Sequence, residues 1–327
     1  ADDHGHSHAP AKELPFRERS RTRIIGVNSG KGGVGKSSIT VNLAIALKQQ
    51  GFDVAVLDAD VYGFSVPAML GVDQPPTVID QMMVPPEAQG VRCISMGFFI
   101  DEDQAVIWRG PMLHKALEQF LTDVYWDEPD FLVVDMPPGT GDVSLSMAQY
   151  LPRTEIYIVT TPQAAAQRVA QRTAAMAGKL NLPVRCGIEI VSWFAGDDGK
   201  RYELFGAGGG QMLAEDIGAP LLAQIPLVPE LREGGDNGLP ITVSAPDSAA
   251  ATACRVVDVD TPVLGGMGLV QSLRDQGWRG TAILLRSVDV PDSIARDTER
   301  DGDTLLLKTV ADRPLLEAIR AALEPRR

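Results

Sequence analysis

The segment Ile24-Ile25-Gly26-Val27-Asn28-Ser29-Gly30-Lys31-Gly32-Gly33-Val34-Gly35-Lys36-Ser37-Ser38 constrains this chain more than any other. It fits the spacing GxxxxGK[ST], with a short apolar run before it and a helix-forming stretch after it. Glycines at these positions let successive backbone amides turn inward around phosphates, and the N-terminus of the following helix adds its positive end. The spacing therefore predicts that Gly30, Lys31, Gly32, Gly33, Val34, Gly35, Lys36, Ser37 and Ser38 form a loop around the phosphates of ATP. Lys36 is expected to reach the β- and γ-phosphates, and the Ser37 hydroxyl to coordinate magnesium.

From Arg23 onward the same unit recurs: a short apolar run, a glycine or proline turn, then a helix-like stretch. This is the pattern of βα units around a mostly parallel sheet, so the fold class is α/β with flanking helices. Strands are expected at Ile24 to Asn28, Val54 to Leu57, Phe131 to Val134, Ile156 to Thr160, Val184 to Ile190 and Leu221 to Ile225. Helices are expected at Lys36 to Gln50, Met112 to Tyr125, Val143 to Tyr150 and Ala164 to Leu180. Gly71 to Gly90, with its paired prolines, and Ala195 to Gly210 read as irregular. Gly234 to Pro246 reads as a loop leading into a short helix around Ser248. The expected division is a polar, histidine-bearing flexible tail over 1–20, a nucleotide-binding domain over 21–253 and a smaller α/β piece over 254–327.

Composition narrows the partners. Apolar residues make up 44% of the chain and charged residues 22%, an ordinary globular balance. A net charge of -13 disfavours nucleic acid, whose binding needs cations against phosphates. No apolar run approaches the roughly 18 residues of a membrane span, and Ala1 to Pro10 lacks the apolar centre of a signal peptide, so no membrane partner and a cytoplasmic location are expected. His4, His6 and His8 alternate in the polar tail, a composition that holds a divalent metal only loosely. Cys93, Cys186 and Cys254 are too far apart in sequence to outline a disulfide framework or a CxxC site.

Three aspartates follow strands: Asp58 and Asp60 after Val54 to Leu57, and Asp135 after Phe131 to Val134. Ligands of open α/β sheets bind at these carboxyl ends. Aspartates there also serve as caps or turns.

The second lysine of the loop, Lys31, makes it resemble the deviant phosphate loop of the MinD, ParA and Mrp class. That resemblance implies an ATP-stabilised homodimer in which Lys31 reaches the partner's nucleotide. It also implies that Asp58 and Asp135 hold magnesium through water, that Asp60 helps position the attacking water, and that Met136 to Asp142 form the switch loop sensing the γ-phosphate. Lys31, Lys36 and Asp60 are then the catalytic set of an ATPase. Phosphoryl transfer needs positioning and charge neutralisation rather than a protein nucleophile, so this set suffices for slow hydrolysis.

Flanking segments narrow the resemblance: LDADVYGFSVPAMLG at 57–71, WRGPMLHKALEQFL at 108–121, VVDMPPGTGDVSLSMAQ at 133–149, TTPQAAA at 160–166 and QIPLVPELREGGDNGLP at 224–240. Together they resemble the Mrp family of ATP-binding iron-sulfur cluster carriers, over Arg21 to about Ala253. This implies cluster binding and transfer to apo iron-sulfur proteins. The chain departs from the family twice. The CxxC that many members place at Ser192 to Lys200 is absent, and Asp197 and Asp198 are hard ligands poorly matched to iron-sulfur chemistry. Cys186, on the preceding strand, reads either as a buried thiol or as a ligand across a dimer, and no cluster ligand is assigned. At Gly187 to Ser192 the chain is one residue short and lacks the family's asparagine near the adenine. The alternative is a MinD- or ParA-type positioning switch without a cluster.

Residues 255–327 resemble the second half of a response-regulator receiver. That resemblance makes Asp258 the phosphoacceptor and Lys308 its partner. The receiver's first strand, with its acidic pair, has no counterpart, so a packed structural remnant is expected. Half a receiver sheet would leave an edge strand that must be covered. The last helix, Leu315 to Leu323, mixes Glu317, Arg320 and Glu324 on its polar face and reads as facing a core rather than a membrane.

Overall fold

The computed structural model describes residues 15–16, 20–61, 63–99, 110–139, 142–196 and 198–255, and the backbone of 283–286 and 304–307. His4, His6, His8, Tyr62, Trp108, Arg109, Thr140, Gly141, Asp197, Asp258, Lys308 and the helix expected at 315–323 lie outside the described residues.

The chain divides into two compact units, Ala1–Arg255 and Val256–Arg327. In the first, the elements run β1 (Arg23–Ser29), α1 (Lys36–Gln49), β2 (Val54–Asp58), α2 (Val66–Leu70), β3 (Thr77–Ile79), β4 (Met82–Val84), β5 (Glu87–Ala88) and β6 (Val91–Ser95). They continue with α3 (Gly110–Thr122), β7 (Phe131–Asp135), α4 (Asp142–Tyr150), β8 (Glu155–Thr160), α5 (Ala164–Lys179) and β9 (Val184–Ala195). The unit ends with β10 (Arg201–Tyr202), α6 (Gly209–Ile217), β11 (Leu221–Leu227), α7 (Pro229–Asp236), α8 (Ile241–Ser244) and α9 (Ala249–Cys254). The second unit is described only at β12 (Ile283–Arg286) and β13 (Thr304–Leu307), which pair in parallel.

The main sheet has the order β10-β9-β8-β1-β7-β2-β6-β5, with β11 also on β9. Every pair among β6, β2, β7, β1, β8, β9 and β11 is parallel. Successive strand residues alternate between two cores. Ile24, Leu132, Val134, Ile156 and Ile158 join the layer beneath α3, α4 and α5, whereas Ile25, Val27, Phe131, Val133 and Val159 join that beneath α1. Burial on both faces accounts for the near-continuous apolar runs read from the sequence. α1 is enclosed almost all round, with Ile39, Val41 and Leu43 to Leu47 buried.

The stretch Gly71 to Gly90, expected to be irregular, holds an antiparallel hairpin of β3 and β4 and a second of β5 and β6. Their two-residue turns, Asp80-Gln81 and Gln89-Gly90, take positive φ throughout. That is the twist a tight hairpin needs, here met at three of four positions by residues other than glycine. The proline pairs fall between the strands rather than inside them. In Ala195 to Gly210 the expected irregular run contains β10, antiparallel to the end of β9. Arg201 lies over the Trp193 ring at 4.4 Å, and Asp198 accepts from Lys200 N at 3.0 Å and from Tyr202 OH at 2.8 Å.

The flexible tail expected over 1–20 needs correction near its end. Phe16 is 2% exposed and meets Trp126 edge-on, ring centroids 5.9 Å apart. An aromatic ring so placed removes a large apolar area from water and anchors the chain ahead of β1.

Candidate functional site

Parallel pairing brings the chemistry to one line. Val27 pairs with Asp135, Asp135 with Asp58, and Asp58 with Ser95, so two carboxylates and a hydroxyl stand side by side at the carboxyl ends of β7, β2 and β6. The loop Gly30 to Gly35 leaves β1 beside them. Lys31, Gly32 and Gly33 are exposed, whereas Lys36 at the head of α1 is buried.

Gly35 is the N-cap of α1, with φ 90° and no side-chain cap. A Cβ there would also lie 2.6 Å from Ile190 Cδ1, which would have to shift, but it is the positive φ that reserves the position for glycine. The first turn of α1 carries no acidic residue and its amides receive no capping side chain, the arrangement that attracts an anion.

Asp135, fully buried, is the hub. Its Oδ2 accepts from Lys36 Nζ at 2.6 Å and from Ser37 Oγ at 2.7 Å, and its Oδ1 accepts from Thr40 Oγ1 at 2.6 Å. Lys36 Nζ also lies 3.4 Å from Asp60 Oδ2. Asp60 Oδ1 accepts from Gly63 N at 3.1 Å. The structure thus places the predicted Lys36, Ser37, Asp60 and Asp135 together.

Asp58 is held differently. Ser95 Oγ donates to its Oδ2 at 3.0 Å, and the amides of Asp60 and Val66 donate at 3.2 and 3.3 Å. Burial first, and then the charge on Asp135, push this carboxyl up to about 7. Hard oxygen donors grouped this way, Ser37, Asp58 and Asp135, fit magnesium.

The start of the expected switch loop is tied to the end of β1, just before the phosphate loop: Met136 N donates to Val27 O at 3.0 Å, and Gly139 N to Ser29 O at 2.8 Å. Gly139 does so at φ 84°, a conformation open to glycine.

Sequence reasoning missed Ser95 and Thr40. Ser95 carried no signal, because its role depends on the register of β6 against β2. Thr40 did carry one, lying one helical turn beyond Lys36 and so on the same face.

The predicted cysteines are all buried, Cys93 and Cys186 in strands and Cys254 in α9. Burial, then Asp58 and Asp135, push the Cys93 thiol well up, and burial raises that of Cys254 to about 12. Among the described residues no group of three or more His, Cys, Asp or Glu is placed to hold a metal ion. No helix among them is long and apolar enough to cross a membrane. Near the missing asparagine, Glu189 accepts from Gly210 N at 2.5 Å, at the head of α6, and from Gln224 Nε2 at 2.9 Å. Val191 takes φ 55°.

The family model described as ParA, the NUBPL iron-transfer P-loop NTPase, matches residues 20–285. The iron-sulfur cluster carrier protein of Mycobacterium leprae is 48% identical over 242 residues, 72% of this chain and 63% of the relative. The chain therefore spans just under two thirds of that protein. The iron-sulfur cluster carrier protein of Synechocystis sp. is 44% identical over 255 residues, 75% of this chain and 72% of the relative. A solved nucleotide-binding protein from Archaeoglobus fulgidus in complex with ADP aligns with a TM-score of 0.61 and 31% identity, over 70% of this chain and 90% of that one. The septum site-determining protein MinD of Pyrococcus horikoshii, complexed with Mg-ADP, gives a TM-score of 0.55 at 23% identity, over 76% of this chain and 98% of that one, a likeness of fold.

Proposed function

The chain belongs to the NUBPL iron-transfer P-loop NTPase family, and from that premise we propose that it is a magnesium-dependent ATPase that carries iron-sulfur clusters to apoproteins. The observation that bears most weight is the Asp135 hub, where a lysine and a serine from the head of α1 share one carboxylate oxygen.

The amides of Gly30 to Ser38 bind the phosphates, and a triphosphate there competes with Asp135 for the Lys36 ammonium. Ser37 would hold the metal, with Asp58 and Asp135 holding it through water. Magnesium, when bound, neutralises charge on the phosphate oxygens. Asp60 orients the water that attacks the γ-phosphate. Lys31, exposed on the loop, reaches the nucleotide of a second copy, so the working state is an ATP-stabilised homodimer. Base choice between adenine and guanine rests on the β9 end, where the backbone turns at Val191.

The cluster is cargo. Thiolates bind it, and each of the three cysteines is a buried thiol, so ligation by this chain requires local opening of a strand or helix. That same burial favours a second reading, a nucleotide-switched dimer of MinD or ParA type that holds no cluster.

Anaerobic reconstitution with iron and sulfide decides between them. The carrier reading expects iron and sulfide to be retained per dimer, with visible absorbance that changes in Cys186→Ser. Absence of any retained cluster, with Mg-ATP binding intact, leaves the switch. Calorimetry with Mg-ATP tests the premise of both, and absence of heat removes both.

A further inference from the structure

The hydroxyl of Thr40 has no part in the phosphate loop, yet it makes one of the three shortest contacts to Asp135. Thr40 is completely buried in the second turn of α1. Its Oγ1 lies 2.6 Å from Asp135 Oδ1 and 3.1 Å from Lys36 O. A threonine hydroxyl owns one proton, and the backbone carbonyl and the carboxylate oxygen both accept. The shorter partner is charged, so the proton belongs to Asp135, in a charge-assisted bond.

The two oxygens of Asp135 are thereby divided. Oδ2 faces Lys36 and Ser37, the groups that meet phosphate and magnesium, and Oδ1 is occupied by Thr40. A carboxylate on a short side chain rotates readily about its last torsion, which is broad and roughly two-fold. With Oδ1 pinned from the helix, the plane of the carboxylate is fixed and Oδ2 stays aimed at the loop. Lys36 and Ser37 cannot supply this alone, because both approach the same oxygen and one of them is expected to leave for the nucleotide.

We propose that Thr40 is a positioning residue for the magnesium site: its hydroxyl holds Asp135 in the orientation from which Oδ2 reaches the metal's water shell. The proposal rests on the magnesium-ATP reading above and deepens it. Groups that hydrogen-bond a metal-binding carboxylate typically matter by roughly 10–100-fold in metal affinity or activity.

The test uses the full chain with Thr40→Val, which keeps the branched shape without the hydroxyl, and Thr40→Ser, which keeps the hydroxyl. ATP binding is titrated by calorimetry in EDTA and then against magnesium, with turnover measured in parallel. The expected result has three parts. Thr40→Val binds ATP in EDTA as the parent does, needs at least about tenfold more magnesium for half-saturation, and turns over at least about tenfold more slowly. Thr40→Ser restores both magnesium quantities to within about threefold, well inside that loss. Should Thr40→Val fail to fold, Thr40→Ala carries the same expectation. An unchanged magnesium requirement overturns the proposal, as does an equal loss of binding in EDTA or failure of the serine variant to rescue. Failure of the parent protein itself to bind Mg-ATP would instead overturn the reading on which the proposal rests.

Discussion

Lys36 stands between two buried carboxylates, with Asp135 at 2.6 Å and Asp60 at 3.4 Å. Removing one member of a buried pair strands the other charge, at a typical loss of about 3–5 kcal/mol. Lys36→Ala is therefore expected to abolish nucleotide binding by calorimetry and also to lower the unfolding free energy in urea by about that amount. Asp60→Ala removes the more distant partner, and is expected to bind Mg-ATP normally while phosphate release stops. Asp58 gives a pH dependence of definite sign. Its folded pKa, about 7, lies above the ordinary 3.8, so the folded state binds the extra proton between those values. Stability from this group is full below about pH 4 and is lost as pH rises through about 7. Asp58→Asn should flatten urea stability measured from pH 5 to pH 8 relative to the parent, and an undiminished slope would refute the assignment. The three aspartates were legible because each follows an apolar run at a strand's end. Ser95 was not, since only the alignment of β6 with β2 makes it a partner of Asp58.

At the scale of elements, the parallel strands and the long helices declared themselves through apolar runs and helix-length stretches. The short hairpins did not. Asp80-Gln81 is a weak turn signal, and the neighbouring prolines suggested irregular chain although they lie outside β3, β4 and β5. Phe16 was hidden for a related reason, standing alone in a polar stretch with nothing in sequence to mark Trp126 as its partner. Phe16→Ala should cost roughly 3–5 kcal/mol in denaturant unfolding while leaving affinity for Mg-ATP within about twofold, because the ring packs in the core layer beneath α3, α4 and α5, across the sheet from α1. A change below about 0.5 kcal/mol, the level of an ordinary surface substitution, would mean that this ring does not anchor the chain.

At the scale of the whole molecule, Lys31 is exposed on the loop, and the proposed function expects hydrolysis to require association with a second copy. Sedimentation velocity with ATP and Asp60→Ala, which halts turnover, is expected to show dimer, and the same protein with ADP monomer. Lys31→Ala should keep ATP affinity and lose turnover. A monomer under both nucleotides would remove Lys31 from the mechanism. By itself the amino-acid order determined the phosphate loop, the α/β class and the acids at the strand ends, because these follow from local spacing and from which residues prefer burial on one face or two. Only the tertiary structure decided which groups share Asp135, that burial raises the pKa of Asp58, and that every cysteine is enclosed. Those outcomes depend on strand order and register, and on the water excluded when a sheet is covered on both faces. They arise between residues as distant in the chain as Thr40 and Asp135, and no local pattern encodes them.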